Sequence, residues 1–111
     1  MKLFAALKKV RTFERLRLPV LSSLTDFDIL IEIGYAEEAG RPLTAKQVLL
    51  MDLGSRSTVR RKLSRLADRG IVRRLKNKDD QRSSLLSISP SSQKLLARYG
   101  SLIASVFASG Q

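Results

Sequence analysis

The run Gly54-Ser55-Arg56-Ser57-Thr58-Val59-Arg60-Arg61-Lys62-Leu63-Ser64-Arg65-Leu66-Ala67-Asp68-Arg69-Gly70 carries both ends and one face of a helix. Ser55 is a strong N-cap, because a hydroxyl oxygen there accepts from otherwise unpaired first-turn amides. Gly70 stands where a helix closes on a left-handed residue, a conformation that costs glycine little. Between them Val59, Leu63 and Leu66 recur at i, i+4 and i+7, with Ala67 beside them, and define a stripe to be buried. At 100° per residue the opposite side collects Ser57, Arg61, Ser64 and Asp68, flanked by Thr58, Arg60 and Arg65. Such a helix is anchored by aliphatic side chains and turns hydroxyls and guanidiniums outward.

Upstream of this helix, Asp52-Leu53-Gly54 makes a turn, and Thr44 reads as the N-cap of a brief helix through about Met51. Arg41-Pro42-Leu43 is a short extended piece. The stretch Leu24 to Ala39 is a helix with Thr25 as candidate N-cap and Asp26 and Asp28 in its first turn, where carboxylates suit the positive helix end. Phe27, Leu30, Ile31 and Tyr35 form its apolar face, and Gly40 ends it. Downstream, Ile71 to Lys76 and Ser83 to Ser89 read as a β-hairpin around the charged tip Asn77-Lys78-Asp79-Asp80-Gln81-Arg82, with Leu86 and Ile88 on one face and Leu85 on the other. Ser89-Pro90 then starts a helix, since proline is well tolerated at the first helical position.

Two helices flank this core. Residues 90–108 carry a sustained stripe of Leu95, Leu96, Tyr99, Leu102, Ile103, Val106 and Phe107, and residues 2–18 place Leu3, Leu7, Val10 and Phe13 at helical spacing, with Phe4 beside them. The N-terminal segment fails as a secretory signal because Lys8, Lys9 and Arg11 interrupt its apolar stretch. A packing helix that ends before Pro19 is the better reading, with adsorption to a membrane surface the lesser one. The stripes are longer than one small core can cover, so both helices are expected to serve dimerisation.

The element order is helix, short strand, helix, turn, helix, strand, charged loop, strand, helix. It predicts a mainly α chain with a small β-hairpin wing (α+β), a winged helix-turn-helix spanning residues 1–111 as one domain with its core at 24–89. A helix of this width fits the DNA major groove, and a two-stranded wing sets Lys78 and Arg82 against the flanking backbone or minor groove.

Charge supports that geometry. The 111 residues hold 21 Lys plus Arg against 10 Asp plus Glu, a formal net charge of +11, with no Cys and no His. Residues 1–18 carry 6 basic and 1 acidic side chains, 19–40 carry 0 and 5, 41–82 carry 13 and 4, and 83–111 carry 2 and 0. Outside the first helix the positive charge is therefore concentrated in one block, the electrostatic footprint of a polyanion binder rather than an evenly solvated surface. The missing Cys and His remove thiolate chemistry, the commonest metal ligands and the usual general base near pH 7, so neither an enzyme nor a cofactor is expected. Hydrophobic residues make up 43% of the chain at a mean hydropathy of −0.09, and no run of about 18 apolar residues offers a membrane span.

The same residues resemble a known family. The run from Gly54 to Leu63, with Leu66 and Gly70-Ile71-Val72, is similar to the recognition segment of MarR-type transcriptional regulators, and Asp80-Gln81-Arg82 with Leu86-Ser87-Ile88-Ser89 is similar to their wing. The likeness covers roughly residues 24–98. It implies that Ser57, Thr58 and Arg61 approach bases, that Arg60 and Arg65 approach bases or phosphates, and that Arg82 serves the wing, braced by Asp80. Many members of that family hold one more residue between the helix-turn-helix glycine and the Ser-Thr-Val run, so the turn here is tighter. At 111 residues the chain is also shorter than typical members, which have longer terminal helices for dimerisation and often a ligand cleft between them.

The expected function is sequence-specific recognition of double-stranded DNA by a homodimeric transcriptional regulator in a prokaryotic cytoplasm, associated with the nucleoid. The expected contact set is Arg56, Ser57, Thr58, Arg60, Arg61, Ser64, Arg65, Arg73, Arg74, Lys78 and Arg82. Within it, Ser57 and Thr58 can equally satisfy first-turn amides, and Arg73 and Arg74 can equally decorate a strand. Two other functions fit the charge: a winged helix that binds RNA, and one that meets an acidic protein. The absence of any aromatic residue between 41 and 82 disfavours single-stranded RNA, whose readers stack bases on exposed rings.

Overall fold

The computed structural model describes residues 2–108, apart from the side chain of Phe107 in the last stripe, which lies outside the described residues. The described residues form two compact units: residues 22–89, and the pair of segments 2–21 and 90–108. The first unit contains α2 (Leu24–Glu38), α3 (Ala45–Leu49), α4 (Arg56–Asp68), β1 (Val72–Lys76) and β2 (Ser84–Ile88). The other contains α1 (Leu3–Arg17) and α5 (Pro90–Ala108). The observed order is that of a winged helix-turn-helix, mainly helical with one antiparallel hairpin, as the sequence predicts.

Local chemistry explains most boundaries in the 22–89 unit. Ser55 accepts from the Thr58 amide and caps α4. Its far end closes on Gly70, at φ 73°, with the Gly70 amide on the Ala67 carbonyl and the Ile71 amide on the Leu66 carbonyl. This double closure spares the last carbonyls of α4 from going unpaired. α3 starts in a reciprocal cap, where Thr44 accepts from the Gln47 amide and Gln47 Oε1 accepts from the Thr44 amide. It ends two residues before the expected Met51, ahead of Asp52, which takes φ 60° in the turn to α4. Asp tolerates that left-handed conformation better than most side chains.

The hairpin pairs Val72 with Ile88 and Leu75 with Leu85 in regular antiparallel register. Leu86 and Ile88 are buried while Leu85 is half-buried, as the alternation predicts. The outer edge of β2 is also occupied: the Leu86 amide donates to the Leu43 carbonyl at 2.8 Å, beside a bridge between Thr44 and Leu85. The Ile88 amide donates to Glu37 Oε1 at 3.1 Å, and the Ser87 hydroxyl donates to Glu37 Oε2. A carboxylate of α2 thus finishes the sheet edge that α3's leading segment begins.

α2 departs from the sequence reading in two ways. Its N-cap is Ser23 rather than Thr25, in a capping box with Asp26. Its buried residues are Asp26, Ile29, Leu30 and Ile33, whereas Ile31 is 61% exposed and Tyr35 is 70% exposed. Apolar residues fill most positions from Phe27 to Tyr35, so two helical faces compete. The buried one runs from Asp26 to Glu37, and both carboxylates lie on it because each has donors to accept from. Val48, Val59, Leu63, Leu66, Val72, Leu86 and Ile88 complete the core of this unit.

In the other unit the Tyr99 hydroxyl of α5 donates to Glu14 Oε2 of α1 at 2.6 Å, and the Tyr99 and Phe13 rings stack with centroids 5.6 Å apart. Burial, and then the bond and charge of Glu14, push the Tyr99 phenol up to about 12. Ala6, Leu18, Leu21 and Val106 are buried, Leu95, Leu96, Leu102 and Ile103 are half-buried, and Leu3, Phe4 and Leu7 remain exposed.

Candidate nucleic-acid interface

α4 is held by Val59, Leu63 and Leu66, each nearly inaccessible to solvent, and this fixes which residues turn outward. Arg56, Ser57, Arg60 and Arg61 are exposed, and Thr58 and Ser64 are half-buried. Thr58 Oγ1 accepts from the Ser55 hydroxyl at 2.9 Å, so Thr58 takes part in the cap and keeps its own hydroxyl proton to donate outward. Arg73 and Arg74 are both exposed on β1, and Lys78 and Arg82 are exposed in the wing loop.

That loop is shaped by short-range bonds. Asn77 Oδ1 accepts from the Asp79 amide and Asn77 Nδ2 donates to Ser83 Oγ. Asp80 Oδ1 accepts from the Arg82 amide at 3.0 Å and lies 3.7 Å from Arg82 Nε. The Arg82 side chain is 96% exposed, so the pair orients it loosely and leaves it available to a phosphate.

The start of α3 and the wing together enclose an open cleft of about 390 Å³. Lys46, Arg74 and Arg82 line it together with the Asp80 carboxylate and the hydroxyl-bearing Thr44, Ser83 and Ser84. Three cations against the single Asp80 carboxylate leave the opening net positive, which suits the oxygens of a phosphodiester backbone. Arg74 and Arg82 belong to the expected contact set, whereas Lys46 does not, because only the folded wing brings α3 beside them.

Lys62 and Arg65 behave differently from the other cations of α4. Lys62 Nζ donates to Ser23 Oγ at 2.9 Å and to Asp26 Oδ1 at 3.3 Å, and Arg65 Nη1 donates to Ser22 Oγ at 3.4 Å. Asp26 is 1% exposed, and its other oxygen accepts from the amides and hydroxyls of Ser22 and Ser23. Burial alone would raise the Asp26 carboxyl. The Ser23 hydrogen bond, the Lys62 bond and charge, and the Ser22 amide outweigh it and hold the carboxyl below its ordinary value.

The helix-turn-helix, the anchored α4 and the basic wing define a winged-helix protein with a cationic outer face. No protein-family model matches the chain, and no curated protein matches it. Solved structures do. The chain is similar to a cysteine-to-serine mutant of MarR from E. coli complexed with operator DNA, at 20% identity and a TM-score of 0.60, covering 91% of this chain and 70% of that one. It is similar to a transcriptional regulator from Thermotoga maritima at 19% identity and a TM-score of 0.68, covering 96% and 73%. It is similar to a mutant of S. aureus MepR at 15% identity and a TM-score of 0.66, covering 96% and 76%. The fold is that of the MarR-type winged helices, as the sequence resemblance implies.

Proposed function

We propose that this chain is a sequence-specific double-stranded DNA-binding transcriptional regulator that works as a homodimer. The observation that carries the reading is the outward row Arg56, Ser57, Arg60 and Arg61 on a helix whose other side is locked into the core. In this reading α4 enters the major groove, Arg61 reads a base edge, and Arg82 with Lys78 follows the flanking backbone or minor groove. Arg74 and Lys46 take a phosphate at the cleft beside the wing. The fold shared with a MarR structure solved on operator DNA supports the assignment.

Pairing falls to the other unit. Leu3, Phe4 and Leu7 of α1 are exposed, Phe4 at 80%, and their burial between two copies would recover apolar area that one copy leaves in water. Two copies place two recognition helices on a DNA site with matching symmetry. No helix of the described residues is long and apolar enough to cross a membrane, and none of them forms a cluster of His, Cys, Asp or Glu suited to a metal. The proposed setting is a prokaryotic cytoplasm, at the nucleoid, with no catalytic role. Selection of duplexes from a random pool, followed by a mobility shift on the enriched sequence, tests the reading. A recurring motif with two related half-sites is the expected result, and a pool that never enriches refutes it.

A further inference from the structure

Residues 41–82 contain 13 Lys and Arg side chains, and among them only Lys62 and Arg65 are not exposed. These are also the two that bond to the N-terminus of α2, through Ser22, Ser23 and Asp26. Lys62 lies one residue from the outward Arg61 and one from the buried Leu63, with 13% of its side chain exposed. Its ammonium is spent inside the protein on a carboxylate that is itself held by four further hydrogen bonds from Ser22 and Ser23.

We infer that Lys62 is a positioning residue for sequence discrimination: its bonds to Asp26 and Ser23 set the rotation of α4 about its axis, and Lys62 itself touches no DNA. The inference rests on the DNA-binding reading above. The aliphatic stripe holds α4 against the core, but such packing tolerates small rotations, because its contacts are short-ranged and non-directional. A hydrogen-bonded ion pair at the flank of the helix is directional. A rotation of 10–20° is the order of misalignment that a preorganised site cannot absorb. Such a turn would move the Arg61 fork off a bidentate base contact while leaving exposed cations near phosphates.

The test uses the full chain and its Lys62→Arg, Lys62→Met and Asp26→Asn variants, with folding checked by circular dichroism. Each is titrated against the duplex selected by the wild type and against a random duplex pool, over a range of salt. The expected result is a preference for the selected duplex reduced about tenfold in Lys62→Met and Asp26→Asn, with the salt slope on random duplex unchanged. Lys62→Arg keeps the charge but not the geometry, and it should lose preference as well. The Lys62→Met/Asp26→Asn double variant should be no worse than either single, since both break one interaction.

A slope reduced by about 0.9 per protomer in Lys62→Met, with preference retained, would make Lys62 a phosphate ligand and overturn the inference. Full preference in Lys62→Arg and Asp26→Asn would overturn it too, and these conservative variants decide the matter if Lys62→Met does not fold. A wild type with no preferred duplex would instead remove the DNA-binding reading itself, an outcome visible before any variant is made.

Discussion

Arg61 and Arg82 should fail in different ways when truncated, and the difference separates base reading from backbone reading. Arg61 is exposed on the side of α4 opposite Val59, Leu63 and Leu66, and in the proposed reading it enters the groove. A bidentate arginine–guanine contact provides about 1–3 kcal/mol of discrimination, so Arg61→Ala in a dimer with two half-sites should lose about 2–6 kcal/mol of preference for its selected duplex. Arg82 stands on a loop with its side chain 96% exposed and its Asp80 neighbour 3.7 Å away. Its loss should remove about one phosphate contact per protomer and reduce the salt slope by about 1.8 per dimer, on every sequence alike. Neither side chain holds the fold, so both variants should unfold within about 0.5 kcal/mol of the wild type. Parallel selection and anisotropy titrations on both variants read these quantities. If the two variants give the same specificity profile, or if Arg61→Ala binds the selected duplex as tightly as the wild type does, α4 is not the reading helix in this orientation.

Three further outcomes follow from the structure. Phe4→Asp with Leu7→Asp, at exposed positions on α1, should halve the mass measured by light scattering and leave the circular dichroism spectrum unchanged; a wild type already monomeric at tens of micromolar would exclude the proposed pairing. Glu37→Ala should cost roughly 2–4 kcal/mol in urea unfolding at unchanged m-value, because the Ser87 hydroxyl and the Ile88 amide both lose their carboxylate acceptor. Asp26 binds its proton less readily folded than unfolded, so the stability it confers is present above its ordinary value of 3.8 and is lost as pH falls below it. Asp26→Asn should therefore flatten the acid side of the stability curve, and an unchanged acid limb would show that the ion pair does not govern it.

Legibility in the sequence followed the range of the forces involved. The ends of α4 were readable because Ser55 and Gly70 act within one helical turn, and its buried stripe because Val59, Leu63 and Leu66 answer to a fixed helical period. The inward side chains of the second strand were readable for the same reason: Leu86 and Ile88 fall two apart and are buried, while Leu85 is half-buried. α2 turns a different face inward than its apolar pattern implies, because two carboxylates go with the buried face. Asp26 and Glu37 find donors on Lys62 and on Ser87 with Ile88, which lie 36, 50 and 51 residues away. One signal was nevertheless present. At 100° per residue Lys62 falls about 70° from the centre of the buried stripe, a flank where a cation requires a partner. The cleft of Lys46, Arg74 and Arg82 carried no such signal, because it exists only once the wing folds beside α3.

The measurement that bears most directly on the central claim is the salt dependence of binding to duplex DNA, compared with single-stranded DNA and duplex RNA of the same length. With roughly 6–10 phosphates neutralised per dimer, the slope of log affinity against log salt on duplex DNA should be about −5 to −9. Affinity should then fall by about three to five decades between 50 and 200 mM salt, with duplex DNA bound tighter than either alternative at every concentration. Binding that is flat in salt, or that favours RNA over duplex DNA, would contradict the account.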